Sequence, residues 1–229
     1  GGLLRYGIPD FKMEKRILDR RIDLMESEGI KFRVNANVGV NIDVGDLRSD
    51  YDVLLLAGGA TASRDLSVPG RHLDGIHLAM NYLPLQNQRC HGDDIPDEKF
   101  ITARDKRVVI IGGGDTGADC LGTAHRQGAL SIHQLELLDR PPNQRASDNP
   151  WPTWPNIFRT SAAHEEGGIR EYNLSTKRFS GPDGHVEKLH AVKVQIQSSE
   201  GGALQIDEIS DSEFEIEVDL VLLAMGFVG

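Results

Sequence analysis

Short apolar runs that end in small residues recur along this chain, and they predict buried strands. Three of them occupy residues 51–57, 107–111 and 219–224, each rich in Val, Leu or Ile. A continuous apolar run of this kind is typical of a strand that is covered on both faces. Apolar residues at helical spacing occupy residues 11–28 and the stretch after Gly117. This succession of strands and helices predicts an α/β fold.

Weaker patterns describe the rest of the chain. Residues 81–105 are polar and rich in turn formers, and residues 141–156 contain five prolines, so we predict loops or linkers in both stretches. The other predictions are strands at residues 31–34, 131–138 and 186–197, and turns at Gly58–Thr61, Gly181–Gly184 and Gly201–Gly202.

The apolar run at residues 107–111 leads directly into glycines with the spacing G-x-G-x-x-G. After a strand and before a helix, this spacing is the fingerprint of a dinucleotide-binding loop. The first glycine permits a tight turn, the second lets a pyrophosphate approach the backbone, and the third lets the helix pack on the strand. We therefore predict that a dinucleotide binds to Gly112, Gly113, Gly114, Asp115, Thr116 and Gly117.

The residue expected to select between NADH and NADPH is Glu136, which lies 19 residues beyond Gly117 in the next predicted strand. A carboxylate at that place pairs with ribose hydroxyls and repels a 2′-phosphate. Arg140 and Arg145 follow closely, and either could pair with that phosphate if the loop folds back. The sequence therefore favours NADH slightly and leaves NADPH open.

Composition narrows the classes of function. The chain has 229 residues and a formal net charge of −10, which opposes binding to nucleic acid or to anionic membranes. No apolar run reaches the length of a membrane span, and the first residues lack the pattern of a signal peptide. Cys90 and Cys120 stand apart, without clustered His or Cys ligands. We expect a cytoplasmic chain that binds no metal, with Cys120 as a buried, inert thiol.

Several segments together resemble the family of small (β) subunits of glutamate synthase, which are NAD(P)H oxidoreductases that contain flavin and iron–sulfur clusters. The resemblance extends over essentially the whole chain, and the motifs are specific only in combination. The segments are residues 1–9 (GGLLRYGIP), 56–61 (LAGGAT), 112–117 (GGGDTG), 148–152 (DNPWP), 164–168 (HEEGG) and 223–229 (LAMGFVG).

The resemblance implies a Rossmann-like NAD(P)H-binding domain inserted into an incomplete, Rossmann-like FAD-binding domain. Residues 1–80 and 214–229 would be pieces of the FAD domain, and residues 81–213 would form the NAD(P)H domain. Residues 164–167, among them Glu166, would contact the nicotinamide coenzyme, and an acidic helix start or cap is the alternative interpretation of this segment. The candidate flavin contacts are Gly1, Gly2, Leu3, Arg5, Gly58, Gly59, Ala60, Thr61 and Gly226.

The family also has a cysteine-rich region for iron–sulfur clusters and an earlier glycine fingerprint for FAD, and neither is present in these residues. We therefore expect the chain to be an excerpt of a longer polypeptide. By resemblance, that polypeptide would pass a hydride from NAD(P)H to FAD, and electrons would continue through clusters to a large subunit that forms glutamate. Two alternatives stay open: a related flavin reductase that serves another acceptor, and a nucleotide-binding module that is inactive by itself.

Overall fold

Two β-sheets and five α-helices make up most of the regular structure in a computed structural model, which describes residues 2–198 and 204–229. The predicted turn at Gly201–Gly202 lies outside the described residues. The strands, in chain order, are β1 (Ile76–Leu78), β2 (Arg107–Ile111), β3 (Ser131–Leu135), β4 (Ile169–Glu171), β5 (Leu174–Ser180), β6 (Lys188–Ser198), β7 (Leu204–Glu208), β8 (Phe214–Glu217) and β9 (Leu220–Leu223).

The first sheet has five parallel strands in the order β1-β9-β2-β3-β4. The second sheet is antiparallel, and its long strand β6 pairs with β5, β7 and β8. The strands predicted around residues 107–111, 131–138, 186–197 and 219–224 are thereby confirmed, with small differences at their ends.

The described helices are α1 (Lys15–Ser27), α2 (Val44–Asp50), α3 (Ala79–Cys90), α4 (Asp115–Gln127) and α5 (Ala162–Glu165). A π-helical turn at Leu3–Gly7 and a 3₁₀ turn at Asp97–Lys99 accompany them. The helix predicted from residue 11 begins at Lys15, because the preceding residues form a turn in which the amide of Lys12 donates to the Pro9 carbonyl. Helix α4 ends at Gly128, whose φ of +87° is favourable for glycine.

The parallel sheet is buried on both faces, which explains its continuous apolar strands. Val108 and Ile110 of β2 belong to a cluster that includes buried residues of α3 and α4. Val109, between them, belongs to a cluster with buried residues of the antiparallel sheet such as Leu189. Successive side chains of a strand point to opposite faces, so one strand supplies both cores.

Two predicted strands do not form. Residues 51–57 have no regular structure, and Leu55 and Leu56 are 88% and 94% exposed, so the prediction of a buried strand is wrong. Residues 31–34 are likewise irregular, and the tight turn predicted at Gly58–Thr61 is absent. No strand among the described residues pairs with either stretch, and an isolated strand has no hydrogen-bonding ladder and no sheet to cover its side chains.

The prediction of a loop at residues 81–105 is wrong for its first part, because helix α3 continues to Cys90. Tyr82 and Leu83 are buried in the core beneath this helix. The pattern was obscured by Pro84, which lies inside the helix, and by polar neighbours such as Asn87, which is buried. Its side-chain amide donates to the carbonyl of Tyr6 at 2.7 Å, so the N-terminal segment is attached to α3.

Strand pairing crosses both of the predicted domain boundaries. β1, before residue 81, and β9, after residue 213, are neighbours in the same sheet as the glycine loop. β9 is attached to β2 by Asp219, whose carboxylate accepts from the backbone amide of Arg107 at 2.8 Å and from its guanidinium. The segment after β9 turns back toward residues 61–64, where the amide of Arg64 donates to the Gly226 carbonyl at 2.9 Å.

Candidate functional site

The predicted glycine loop connects the end of β2 to the beginning of α4. Gly112 has a φ of +123°, and a Cβ at this position would overlap the carbonyl oxygen of Ala224 on the neighbouring strand connection. Gly117 lies in the first turn of α4, where a Cβ would overlap the carbonyl oxygen of Gly112. Both glycines are therefore required by the fold itself.

Gly114 differs from these two because its surroundings are open. It precedes α4 with a φ of −80°, and a Cβ built on it would meet no atom within 4 Å. The first amides of a helix have no partners within the helix and carry a partial positive charge, which favours a phosphate group. The loop therefore leaves space at the position where a pyrophosphate would approach, next to Asp115 and Thr116.

Glu136 follows directly after β3 and lies against the glycine loop. One carboxylate oxygen accepts from the amide of Gly113 at 2.6 Å, and the other accepts from the amide of Leu138 at 3.1 Å. A Cβ on Gly113 would lie 2.6 Å from the first of these oxygens, so this glycine leaves room for the carboxylate. The structure thus brings Glu136 to the loop, where it also holds the backbone.

A cleft of about 520 Å³ opens at the carboxyl end of the parallel sheet. Sites of α/β proteins lie at this edge, where the loops after the strands meet. Its floor is the glycine loop with Ala118, and its far wall comes from the segment between β3 and β4. Other lining residues are Asp115, Glu136, Leu138, Asp139, Phe158, Arg159, His164, Arg170 and Tyr172.

Three arginines gather around the aromatic wall of this cleft. The guanidinium carbons of Arg140 and Arg170 lie 4.1 and 4.6 Å from the centre of the Phe158 ring. Arg170 donates to the carbonyl of Arg159 at 3.1 Å, and Arg159 in turn stacks on Trp154. Within the described residues, none of the three forms an ion pair with a carboxylate. They make a locally positive site in a chain of net charge −10.

Arg145, the other arginine considered for a phosphate, is used inside the proline-rich loop. Its guanidinium donates to the carbonyls of Asn149 and Thr153 at 3.0 and 3.1 Å. The Asn149 side chain adds bonds to the Trp154 carbonyl and the Asn156 amide. This loop is therefore braced internally, and the structure does not place Arg145 on the cleft.

Gln134 and His164 lie under the glycine loop; no sequence pattern pointed to Gln134, whereas His164 belongs to the segment at residues 164–167 that was expected to contact the coenzyme. Gln134, in β3, is only 2% exposed, and its amide nitrogen donates to the carbonyl of Gly112 at 2.9 Å. His164 lies 3.0 Å from the other end of the same amide, and its second ring nitrogen is 3.1 Å from the backbone nitrogen of Ser161. Burial, together with the charges of Arg170 and Lys12, lowers the pKa of His164 to about 4. The ring is therefore neutral near pH 7.

Glu166, expected to contact the nicotinamide coenzyme, makes a two-bond ion pair with Arg126 of α4 at 2.6 and 2.8 Å. It is absent from the lining of the cleft. In this arrangement its carboxylate is already satisfied by a guanidinium.

The candidate flavin contacts fall into separate groups, and Gly1 lies outside the described residues. Gly2 and Leu3 are exposed at the amino end, and Arg5 pairs with Asp19 of α1. Gly58, Gly59 and Ala60 are exposed without regular structure. The amide of Thr61 donates to the Gly229 carbonyl at 2.7 Å, which brings it to the segment that contains Gly226.

Across residues 2–198 and 204–229, no three His, Cys, Asp or Glu side chains come together in a way that could hold a metal ion. Over the same ranges, no helix combines the length and the apolar content that crossing a membrane requires. Cys120 is buried, and burial raises the pKa of its thiol.

The family model of the pyridine nucleotide-disulphide oxidoreductases matches residues 24–229, which include the glycine loop and the whole cleft. The chain belongs to this family. Members share a mixed α/β architecture in which glycine loops bind dinucleotides, as the resemblance found in the sequence implied.

Named relatives of this chain make the comparison more specific. The glutamate synthase [NADPH] small chain of Mycobacterium tuberculosis is 57% identical over 100% of this chain, which covers 46% of that relative. The glutamate synthase [NADH] of Schizosaccharomyces pombe is 44% identical over 100% of this chain, which covers 11% of it. The chain therefore spans about half the length of the bacterial relative and much less of the yeast one.

A solved structure supports the fold of this chain. FprA from Mycobacterium tuberculosis in complex with NADPH matches 100% of this chain and 62% of its own, with a TM-score of 0.68. Sequence identity in that comparison is 19%, so the likeness concerns the fold.

Proposed function

We propose that this chain is the NAD(P)H-binding, electron-input part of a glutamate synthase-type flavoprotein. The observation that carries the proposal is the open space at Gly114, at the amino end of α4 and on the floor of a cleft lined by Arg159 and Arg170, for which the described residues provide no carboxylate partner. The names of the relatives support the reaction class, because proteins 57% and 44% identical are glutamate synthases that use NADPH and NADH.

For the coenzyme, the contacts of the cleft favour NADPH over NADH, in contrast to the slight preference drawn from the sequence. That preference depended on the charge of Glu136, whose carboxylate oxygens accept hydrogen bonds from two backbone amides. The carboxylate of Asp139 is likewise engaged by the Asn173 side chain. Arg159 and Arg170, by contrast, line the cleft without a carboxylate partner among the described residues. Two guanidinium groups suit a 2′-phosphate.

In this proposal the chain binds and orients the coenzyme. The amides at the start of α4 hold the pyrophosphate, Glu136 fixes the Gly113 amide, and the arginines hold the adenosine end. When bound, reduced nicotinamide supplies a hydride and FAD accepts it. We assign no side chain of this chain as a catalytic acid, base or nucleophile, since the task left to the protein is alignment and exclusion of water.

The flavin side of the proposal concerns the full-length protein. We propose that residues before about 75 and after about 223 contribute to an FAD domain, because Thr61 is hydrogen-bonded to the segment beyond β9. This division places β8 and β9 with the NAD(P)H domain, in line with their pairing. We further propose iron–sulfur clusters outside these residues, a large glutamate synthase subunit as partner, and a cytoplasmic location.

Calorimetric titration with NADPH, NADH and FAD tests the coenzyme site. Gly114→Val is the decisive variant, because its side chain would enter open space, where it would block a pyrophosphate and leave the fold intact. We expect NADPH binding to be lost in Gly114→Val and kept in Ala36→Val, which places the same side chain at an exposed position. Unchanged affinity in Gly114→Val would overturn the assignment of the loop.

The proposed partner can be tested on the full-length protein. Copurification with a large glutaminase-containing subunit, together with glutamate formation that depends on NADPH, supports the glutamate synthase assignment. NADPH oxidation by a protein that is persistently free of such a subunit would favour a flavin reductase with another acceptor.

A further inference from the structure

Three hydrogen bonds in series connect the start of α5 to the turn of the glycine loop. The backbone nitrogen of Ser161 lies 3.1 Å from Nδ1 of His164, and Nε2 of His164 lies 3.0 Å from Oε1 of Gln134. The amide nitrogen of Gln134 donates to the carbonyl of Gly112 at 2.9 Å. The series ends at Gly112, the first glycine of the fingerprint.

The direction of each of these three hydrogen bonds is determined. The backbone amide of Ser161 can only donate, so Nδ1 of His164 accepts and the proton of the neutral ring is on Nε2. That proton is donated to the Gln134 oxygen, which leaves the Gln134 NH₂ group to face the Gly112 carbonyl. A reversed amide would place oxygen against oxygen at Gly112, so His164 selects the orientation of Gln134.

The Gln134 amide also fills the space under the loop. A Cβ on Gly117 would overlap both the Gly112 carbonyl oxygen and the Gln134 amide nitrogen. The third glycine is thus needed for a side-chain amide as well as for packing of the helix. Because Gln134 is 2% exposed, the loss of either partner would leave a polar group unsatisfied in the interior.

From these contacts we propose that Gln134 and His164 are positioning residues that hold the glycine loop in the shape that binds a pyrophosphate. The inference rests on the proposed function and identifies two residues that determine the affinity of the loop for the coenzyme. Gln134 acts on the Gly112 carbonyl, and His164 acts through Gln134. We expect the effect on binding to be limited to the pyrophosphate end of the coenzyme. Among the described residues, the three arginines of the cleft wall form no hydrogen bond with Gln134 or His164.

Two substitutions of His164 separate this role from a simple role in capping α5. The side-chain oxygen of Asn can take the place of Nδ1 and keep the bond to the Ser161 amide, but Asn is too short to reach Gln134. The side-chain nitrogen of Gln can take the place of Nε2 and reach Gln134, but Gln gives up the bond to Ser161. The positioning role predicts that binding is kept in His164→Gln and lost in His164→Asn, whereas a capping role predicts the reverse.

The experiment is titration of each variant with NADPH, with ADP-ribose and with adenosine 2′-monophosphate, which lacks both phosphates of the pyrophosphate. In His164→Asn we expect affinity for NADPH and ADP-ribose to fall about fivefold or more, the effect of one net hydrogen bond. His164→Gln is expected to stay within about twofold of the unaltered protein. Adenosine 2′-monophosphate should bind equally well to both, and Glu165→Gln, an exposed neighbour, serves as the control.

Gln134→Leu provides a second route if the His164 variants fold poorly, because it removes the amide with little change in size. We expect the same selective loss of NADPH and ADP-ribose binding in this variant. Normal NADPH binding in both Gln134→Leu and His164→Asn would overturn the inference and leave the proposed function standing. Failure of the unaltered protein to bind NADPH would overturn the proposed function, and this inference with it.

Discussion

The carboxylate of Glu136 accepts a hydrogen bond from the amide of Gly113 at 2.6 Å, so the residue expected to choose the coenzyme is also part of the glycine loop. Its charge still lies on the cleft and opposes a 2′-phosphate. Glu136→Gln removes the charge and keeps the size of the side chain. We expect the ratio of NADPH to NADH affinity to rise about three- to tenfold, as loss of ~1 kcal/mol of repulsion implies. The ratio of dissociation constants measures this, and an unchanged ratio would place the selecting residue elsewhere.

Removing an arginine of the cleft should shift the coenzyme preference in the opposite direction, toward NADH. Arg159 lines the cleft and has no carboxylate partner among the described residues, so Arg159→Ala should weaken NADPH binding about tenfold and leave NADH binding nearly unchanged. Higher salt concentration should likewise weaken the binding of NADPH more than the binding of NADH. Arg104→Ala, at an exposed position outside the cleft, is the control. Equal losses for both coenzymes in Arg159→Ala would show that this guanidinium does not recognise the 2′-phosphate.

The glycines of the loop should differ sharply in what they tolerate. In an unconstrained helix, replacing Gly by Ala stabilises by up to about 1 kcal/mol. Gly117→Ala should instead lower the free energy of unfolding by more than about 2 kcal/mol, because its Cβ would overlap the Gly112 carbonyl and the Gln134 amide. Gly114→Ala, with open space around it, should change stability by less than about 0.5 kcal/mol. Urea unfolding compares the two, and equal stabilities would contradict the packing described for Gly117.

The elements around the loop could be predicted from sequence because their signals are local. The strand, glycine turn and helix from Arg107 to Gln127 depend on an apolar run, a glycine spacing and a helical period, all of which are found within that stretch. Residues 51–57 carry an equally strong apolar run, yet form no strand, because a strand also requires a neighbour. Local pattern can predict what a segment prefers, but it cannot supply the segment's partner.

The support under the loop is the part that spacing could not predict. Gln134 is the one polar side chain on the face of β3 that also carries Ile132, and that interruption of an apolar face is a usable signal in retrospect. His164 lies 30 residues away in sequence, and only folding brings it to Gln134. The arginines at the cleft wall are non-local in the same way, since Arg140 and Arg170 stack on Phe158 and Arg159 stacks on Trp154. The sequence could set Glu136 against Arg140 and Arg145, which lie close to it in the chain, but not against Arg159 and Arg170.

The buried imidazole of His164 predicts a pH dependence of stability. Burial is the main cause that lowers its pKa from 6.5 to about 4, assisted by Arg170 and Lys12 and opposed by Asp115. Between these two values the unfolded chain binds a proton that the folded chain does not, so the free energy of unfolding falls as the pH drops from 6.5 toward 4. His164→Asn removes this contribution, whereas His77 and His190, whose pKa values are also lowered, stay the same in both proteins. Urea unfolding of the two proteins between pH 7.5 and 4.5 should therefore show their stabilities converging as the pH falls, and parallel curves would mean that His164 ionises in the folded state as readily as in the unfolded one.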